Sequence, residues 1–454
     1  MIRKIFKDKA FIKNMMMLAI PISIQSMIQS SLGIIDQVMV GQLGQNAVAG
    51  VGLGGRIPFI FFMVIAGITS GTSIYVSQYW GKKDTNNIKQ VMGATLMIGT
   101  LVAILFMSLA LLMPKGVVAL FSRDQAVIQE GASYLAIVSL SFVPVLITMT
   151  YSSVLRSTHH VKLTLYAGLM SVVTNTILNY ILIFGYLGMP VMGVKGAAIA
   201  TTVSKVIEAL VIVAVVYGKK LPGCVRIKDL VTFKMNFFKL FMITTLPLLI
   251  NEFLWSAGES IYTGIYGFMG TEQATSMIIT YPLQSFCISI FIGLSSAAGV
   301  MIGNKLGENK YDIAYDYAKN FTILGILGAV IVGIGVMLIS DIYVSTYKIS
   351  HEVQNNAIIL IIVFCCVLCV KVGNMIMGGG VLRSGGQTKL TLFLDILGTW
   401  GIGIPIGLLA AFVLKLPLYA VYLLISLEEV VRFIIGLIWM KRKIWIKNII
   451  NDEM

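Results

Sequence analysis

The chain has 454 residues, of which 57% are hydrophobic and only 12% are charged. A soluble domain carries roughly 25% charged residues, so a water-soluble protein of this composition could not cover its own surface. The net charge of +14 is spread over short segments between apolar stretches, which is not the pattern of a nucleic-acid-binding surface. The composition predicts an integral membrane protein that has the lipid bilayer, and no nucleic acid, as its partner.

Twelve apolar stretches follow one another along the chain, each close to or above the ~20 residues that a helix needs to cross a bilayer. Helices are predicted because lipid-exposed backbone must satisfy its hydrogen bonds within its own segment. The fold class is therefore an all-α membrane protein with twelve transmembrane helices. The predicted spans are 15–40, 53–79, 91–113, 131–155, 163–187, 194–217, 238–266, 274–302, 318–340, 356–381, 389–413 and 417–440.

The distribution of basic residues predicts the orientation. With the N-terminus placed inside, the cytoplasmic segments hold 25 Lys and Arg and the outer loops hold six. Positively charged loops stay on the cytoplasmic side, so both termini are predicted to be cytoplasmic, in a bacterial inner membrane. The first apolar stretch lacks the cleavage site of a signal peptide, and we expect it to be retained as a helix.

An internal repeat relates the two halves of the chain. At an offset of 226, three glycines of the first half meet glycines of the second: Gly44 with Gly270, Gly67 with Gly293, Gly81 with Gly307. At an offset of 227, segments 155–157 and 162–165 meet 382–384 and 389–392, Pro190 meets Pro417, and Lys205 meets Arg432. The matches fall at loops and helix ends, where glycine and proline have backbone roles.

Each half contains six spans, so both halves enter the membrane in the same direction and should be related by a pseudo-twofold axis along its normal. We predict an N-lobe at 1–218, a cytoplasmic linker at 219–237 and a C-lobe at 238–454. Such a duplication suits alternating access, in which one bundle rocks against the other around a cleft.

A charge inside a span costs ~2.5–3.5 kcal/mol on insertion scales, so each is a candidate functional residue. Asp36 lies on span 1 within a broad polar face. Asn175 and Asn179 lie one turn apart on span 5, and Thr201 lies on span 6. Their carboxylate, amide and hydroxyl oxygens suit Na⁺ or a proton relay. The alternative is that the asparagines only hydrogen-bond helices together.

Span 7 carries two carboxylates on one stripe, Glu252 and Glu259, with Trp255, Tyr262 and Tyr266 beside them. Carboxylates next to aromatic rings favour an organic cation, through charge and cation–π contact. The other buried charges of this half are Lys371 on span 10 and Asp395 on span 11. We predict that Lys371 pairs with Glu252, Glu259 or Asp395, in an ion pair that serves structure as readily as function.

A third group of charges lies on spans 6 and 12. Lys205 and Glu208 are three residues apart, and Glu428 and Glu429 precede Arg432 by four and three. These spacings let the charges neutralise one another locally. A structural role is favoured over a role in gating.

Several chemical functions have no support in the sequence. There is no G-x-x-x-x-G-K-[ST] phosphate-binding loop, and the three histidines lie in predicted loops. Cys366 and Cys369 are three residues apart within an apolar span without a neighbouring histidine, so small apolar packing is favoured over a metal site. We predict a protein that is not an enzyme, has no cofactor and is driven by an ion gradient.

Short motifs recur in a fixed order along the chain: Asp36-Gln-Val-Met-Val-Gly-Gln-Leu-Gly44, Gly81-Lys-Lys-Asp84, Leu155-Arg-Ser157, Asn175-x-x-x-Asn179-Tyr, Gly188-Met-Pro190, Gly196-Ala-Ala-Ile-Ala-Thr201 and Leu382-Arg-Ser-Gly-Gly386. No single motif is specific, but the order of the motifs together with the half-repeat is. With these segments the chain resembles the multidrug and toxic compound extrusion (MATE) transporters over nearly its whole length.

This resemblance implies two six-helix lobes and export of organic cations or lipophilic drugs in exchange for H⁺ or Na⁺ by a protein expected to be a monomer. It implies an N-lobe cation site at Asp36, Asn175, Asn179 and Thr201. Some members carry an aspartate where Asn179 stands, so the coupling ion is left open. It also matches a C-lobe glutamate of the family to Glu252.

The alternative function is a lipid-linked oligosaccharide flippase of the same wider superfamily. Such a protein handles a pyrophosphate and should line its cavity with arginines. Lys371 is the one basic residue that the sequence places near the cavity, against several acids, which favours a cationic cargo.

Overall fold

The computed structural model describes residues 8–225, 235–347 and 349–450. Its regular secondary structure in these residues is helical, and eleven helices are long and apolar enough to cross a membrane. The predicted polytopic all-α fold is confirmed. In chain order the helices are α1 Lys9–Gly41, α2 Gln45–Gly81, α3 Thr85–Leu112, α4 Gln125–Ser157, α5 Val161–Phe184, α6 Gly193–Gly218, α7 Met235–Met269, α8 Thr271–Gly307, α9 Tyr311–Ser345, α10 His351–Leu382, α11 Thr388–Val413, and α12 in two segments, Leu418–Ile425 and Leu427–Lys441.

The last predicted span is interrupted. The structure divides α12 at Ser426, whose hydroxyl donates to the carbonyl of Tyr422 at 2.8 Å. A serine that bonds back to the preceding turn bends a helix, and the backbone N–H of Glu429 bonds three residues back to Ser426. The predicted span 417–440 is therefore helical in two segments that meet at this residue. Part of the predicted linker, 226–234, lies outside the described residues.

Several helices begin at polar side chains that satisfy free backbone N–H groups. Asp84 accepts from the N–H of Asn87 at the start of α3, and Asp124 accepts from the N–H of Ala126 at the start of α4. These caps separate helices that composition alone would run together.

The repeat is visible in the backbone, where residues with positive φ recur at the same spacing. Gly44 (φ 102°) and Gly270 (φ 144°) each precede the second helix of their half. Glycine suits this position because its missing Cβ permits such angles. Lys83 and Asn309 repeat the pattern in the next loop, at φ 62° and 59°.

Contacts divide the chain into two compact units: an N-unit of residues 24–249, and a C-unit of residues 1–23 with 250–454. The divisions fall inside α1 and α7 at equivalent points of the repeat, shortly after Pro21 and Pro247. A proline inside a helix removes one backbone hydrogen bond and favours a bend there. The predicted lobes have different limits, because they divide the chain at the linker and not inside α1 and α7. The lobes stay a prediction.

The first part of α1 belongs to the C-unit and the first part of α7 belongs to the N-unit, and each packs against a glycine at the same repeat position. In the C-unit, Gly293 of α8 lies against Ala19 and Ser23 of α1, and the Ser23 hydroxyl donates to the carbonyl of Ile290 at 2.5 Å. Its partner in the repeat, Gly67 of α2, lies against Leu249 of α7 in the N-unit. Small residues let membrane helices approach closely, so the repeated glycines of the sequence mark helix contacts.

A second close approach lies inside the N-unit, between the first part of α2 and α4. A Cβ on Gly54 would lie 2.5 Å from the carbonyl oxygen of Gly131, whereas a Cβ on Gly52 would have no atom within 4 Å. The two glycines therefore form a matched pair on one helix, one in the contact and one outside it.

We predict that Gly54→Ala lowers the stability of the purified protein by about 1–3 kcal/mol, because the added methyl must displace backbone. Gly52→Ala adds the same methyl and should change stability by no more than about 1 kcal/mol. Thermal unfolding in detergent measures both. Equal midpoints for the two variants would contradict the close packing.

Candidate functional site

The N-unit brings together the four residues that the sequence proposed as a cation site. The Asn179 Nδ2 donates to Asp36 Oδ1 at 2.6 Å and to Asn175 Oδ1 at 3.0 Å. The Asn175 Nδ2 in turn donates to Thr201 Oγ1 at 3.4 Å. One chain of hydrogen bonds thus links α1, α5 and α6 through a single carboxylate, two amides and a hydroxyl.

The series of hydrogen bonds leaves one buried acceptor, the side-chain oxygen of Asn179, without a partner among the described residues. Asn175 and Asn179 are 2% and 1% exposed, and Asn179 Oδ1 is buried with no hydrogen-bond partner among the described residues. The Asn179 amide donates both of its N–H bonds, to Asp36 and to Asn175, but its own oxygen accepts none. A buried acceptor of this kind costs free energy unless something binds to it.

The local sequence explains why these side chains meet. The four-residue spacing of Asn175 and Asn179 places both on one face of α5. Gly196 lets α6 approach that helix, because a Cβ there would lie 2.6 Å from the carbonyl oxygen of Leu182. Apolar residues of α1, α5 and α6, among them Val40, Ile183 and Ala197, pack together near the cluster.

No basic residue neutralises Asp36 by an ion pair in the part of the chain that the structure describes. Lys205 on α6 is instead engaged by Glu208, at 2.9 Å from Nζ to Oε2. This is the local pairing that the three-residue spacing indicates. The carboxylate of Asp36 is therefore held by neutral groups.

The C-unit contains a denser set of charges, centred on Arg432 of α12. Its guanidinium lies 3.1 Å from Asp395 Oδ1 and 3.0 Å from Glu428 Oε1, and donates to Thr399 Oγ1 at 2.6 Å. The Tyr262 hydroxyl donates to Glu428 Oε2 at 2.6 Å. The network joins α7, α11 and α12.

The predicted partners of Lys371 were wrong. Its ammonium lies 3.8 Å from Glu429 Oε1 on α12, and none of the predicted acids, Glu252, Glu259 and Asp395, forms an ion pair with it within 4.0 Å in the described part of the chain. The carboxylate of Glu429 also accepts a hydrogen bond from the Asn374 amide at 2.7 Å. The sequence showed which charges needed partners, but not which helices stand next to each other.

Glu252 has a partner that the sequence analysis missed. Both terminal nitrogens of Arg383, at the end of α10, lie 3.4 Å from its Oε1. The repeat gave a signal, since Arg383 belongs to the Leu-Arg-Ser segment that recurs at Arg156. The repeat position of Glu252 in the first half is Ser26, so the N-unit has no carboxylate at that position.

Glu259 differs from the other acids of the predicted C-lobe site. It forms no ion pair within 4.0 Å among the described residues. Close by, the Thr263 hydroxyl lies 3.5 Å from that of Tyr281, and Trp255 and Tyr281 are 45% and 38% exposed. Tyr262 is only 6% exposed. The predicted aromatic wall is therefore divided, with Tyr262 bound to Glu428 and Trp255 open.

The charged network of the C-unit lies beside an irregular part of α11. Residues Ile396–Gly403 form a π-helical segment directly after Asp395. Within it, a Cβ on Gly398 would collide with Arg432, and one on Gly403 would collide with Tyr262 and Glu428. Helical segments of this type are frequent at functional sites, and here they make room for the polar groups.

The chain is similar to curated bacterial transporters over almost its whole length. It is 23% identical to the uncharacterized transporter YisQ of Bacillus subtilis over 97% of this chain and 96% of that protein. It is 25% identical to the probable multidrug resistance protein NorM of Agrobacterium fabrum, over 89% of this chain and 87% of that protein.

Solved structures have the same fold. A MATE transporter in complex with MaL6 matches with a TM-score of 0.87 at 18% identity, over 95% of this chain and 96% of that chain. A MOP superfamily transporter from Pyrococcus furiosus, described as having a binding pocket of reverse polarity, matches with a TM-score of 0.86 at 18% identity, over 95% of each chain.

The family model MatE matches the chain twice, at residues 21–181 and 247–409. The two matches begin 226 residues apart, at Pro21 and Pro247, which is the spacing of the internal repeat. Together they cover most of the chain. The chain belongs to the MatE family of multi-pass membrane transporters.

Proposed function

We propose that this transporter exports organic cations in exchange for a monovalent cation that binds at Asp36. The observation that carries the proposal is the state of this carboxylate, which is held by Asn179 and has no ion-pair partner among the residues that the structure describes. A charge among membrane helices is costly and marks an ion pathway in many transporters. A carboxylate that neutral groups position can take up and release a cation without breaking a salt bridge.

The geometry supports a proton as the first choice. The NH₂ group of Asn179 already faces the oxygens of Asp36 and Asn175, so these oxygens are engaged by a donor and do not surround an empty space. A proton needs only one carboxylate oxygen.

Sodium is the second candidate, and one observation favours it. If the Asn179 amide turned over, its unpartnered Oδ1 would face Asp36 and Asn175. Oxygens from Asp36, Asn175, Asn179 and Thr201 could then surround an ion, and hard oxygen ligands of this type suit Na⁺.

The C-unit supplies the features that suit a cationic drug. Glu259 is a carboxylate that forms no ion pair within the described residues, and the exposed rings of Trp255 and Tyr281 belong to the same region. A carboxylate with aromatic neighbours attracts organic cations by charge and by cation–π contact. Glu252, Asp395 and Lys371, each in an ion pair, would set the charge around this site.

A lipid-linked oligosaccharide flippase is not favoured. Relatives of the chain are named as probable multidrug resistance proteins. In addition, the basic side chains of the C-unit that could bind a pyrophosphate are already in ion pairs. Arg383, Arg432 and Lys371 each lie within 4.0 Å of a carboxylate, so they offer no free cluster to a pyrophosphate.

The first test is Asp36→Asn in proteoliposomes. We predict that an imposed ion gradient moves ethidium in vesicles with the wild-type protein and that the variant falls to the level of protein-free vesicles, because the amide cannot exchange a cation. Asp312→Asn removes an acid whose side chain is 97% exposed and should leave transport unchanged. Gradient-driven transport by Asp36→Asn at the wild-type rate would contradict the proposal.

The second test separates the two ions. We expect a pH gradient at equal Na⁺ to drive ethidium transport and a Na⁺ gradient at equal pH to have no effect. Asn175→Ala should retain pH-driven transport, since the Asp36–Asn179 bond remains. Transport that requires a Na⁺ gradient and is lost in Asn175→Ala would establish sodium in place of the proton.

The third test concerns the substrate. We predict that Glu259→Gln weakens tetraphenylphosphonium binding about tenfold, or about 1.4 kcal/mol, because the unpaired charge is lost while the shape is kept. Glu272→Gln, an exposed acid at the start of α8, serves as the control. Calorimetry measures both dissociation constants, and an unchanged affinity in Glu259→Gln would place the substrate elsewhere.

A further inference from the structure

Asp395, Arg432 and Glu428 form a buried group of three charges, which we call the triad. One guanidinium stands between two carboxylates, at 3.1 Å and 3.0 Å. The side chains are 21%, 11% and 7% exposed for Asp395, Arg432 and Glu428 respectively. With both acids ionised, the triad carries one excess negative charge.

The neighbouring charges do not cancel this excess. Lys371 is matched by Glu429 on α12, at 3.8 Å, and Arg383 is matched by Glu252 on α7, at 3.4 Å. The remaining acid that faces this region is Glu259 on α7, which adds a further negative charge. Tyr262 and Thr399 are neutral, as is Asn251, whose side chain lies beside Asp395. An uncompensated charge in such a place favours the uptake of a cation.

The hydrogen bonds indicate which acid of the triad can accept it. Both oxygens of Glu428 are occupied, Oε1 by Arg432 and Oε2 by the hydroxyl of Tyr262. Asp395 uses Oδ1 for Arg432, and its other hydrogen-bonding neighbour is the neutral side chain of Asn251. The Oδ1 of Asn251 is buried without a donor among the described residues, so it offers an acceptor to a protonated Asp395. The acid of the triad that can hold a proton is therefore Asp395.

One hydrogen bond of the triad, from Tyr262 to Glu428, lies at the repeat position of two residues of the Asp36 cluster. An offset of 226 relates Asp36 to Tyr262, and an offset of 227 relates Thr201 to Glu428. In the N-unit the acid, Asp36, lies on the first helix of its half and the hydroxyl, Thr201, on the sixth. In the C-unit the hydroxyl, Tyr262, lies on the first helix and the acid, Glu428, on the sixth. Gly398 and Gly403 leave space for the C-unit version, since a Cβ on either would collide with its members.

We propose that the triad binds one exchangeable proton on Asp395, so that the C-unit has a proton site in addition to Asp36. The proton comes from the aqueous phase and adds to the carboxylate of Asp395, and no covalent bond of the protein breaks. Glu428 acts as a positioning residue, because its charge uses part of the Arg432 charge and leaves Asp395 under-compensated. This inference rests on proton coupling in the proposed function.

The experiment is pH-difference infrared spectroscopy of the purified full-length protein, which detects the C=O band of a protonated carboxylic acid. The background is Asp36→Asn with Glu259→Gln, which removes the acids of the two candidate sites that form no ion pair among the described residues. This background should retain one band that disappears on going from acidic to alkaline buffer, and Asp395→Asn should abolish it.

Glu428→Gln is the decisive variant, because it leaves Asp395 in place. One guanidinium then faces one carboxylate, so Asp395 should stay ionised and the band should be absent. Tyr262→Phe keeps both charges and should retain the band, as should Asp312→Asn. Size-exclusion profiles verify that each variant is folded.

A band that persists in Glu428→Gln, or its absence from the background at every pH, would overturn the proposal and leave the triad as a structural salt bridge. The proposed function fails separately. If the wild-type protein moves no ethidium but the band follows this pattern, the triad binds a proton and the proposal of organic-cation transport is wrong.

Discussion

A charge buried among membrane helices must find a partner, and this constraint organises the interior of both units. The energetic cost of leaving one alone is a few kcal/mol, and the structure meets it with ion pairs between neighbouring side chains. Lys205 is matched by Glu208, Lys371 by Glu429 and Arg383 by Glu252. The acids that these ion pairs leave without a full counter-charge are informative, because they are the groups that can bind a cation from outside.

The two halves share a scaffold and differ in how they leave an acid unmatched. Glycines and prolines recur at the repeat spacing because they serve the backbone, at Gly44 and Gly270 and at Pro21 and Pro247. The N-unit surrounds one carboxylate, Asp36, with amides and a hydroxyl. The C-unit sets two carboxylates against Arg432. Duplication thus preserved the positions of helices and left the polar positions free to change.

Most of the fold could be predicted from the sequence, because the bilayer imposes length and apolarity on each helix. The Asp36 cluster was also within reach, since Asn175 and Asn179 share a helix face and the family resemblance joined them to Asp36 and Thr201. The resemblance did not supply Asp395, and periodicity alone could not assign its partner.

The remaining features depend on contacts between distant segments. Lys371 needed an acid, but the choice of Glu429 follows from how α10 packs on α12. The pairing of Arg383 with Glu252 joins residues 131 apart in the chain. The interruption at Ser426 and the π-helical part of α11 are local, yet serine and glycine are common in regular membrane helices, so neither has a distinctive sequence signal.

The central claim is that each unit carries, among its helices, a carboxylate that no basic residue fully neutralises, and that the cation bound there is exchanged for the substrate. The most direct measurement is the number of protons released when tetraphenylphosphonium binds to the purified protein in weakly buffered solution. The account predicts release by the wild-type protein, a smaller but measurable release by Asp36→Asn, and the smallest release when Glu428→Gln is added. Substrate binding by the wild-type protein with no proton released would contradict it.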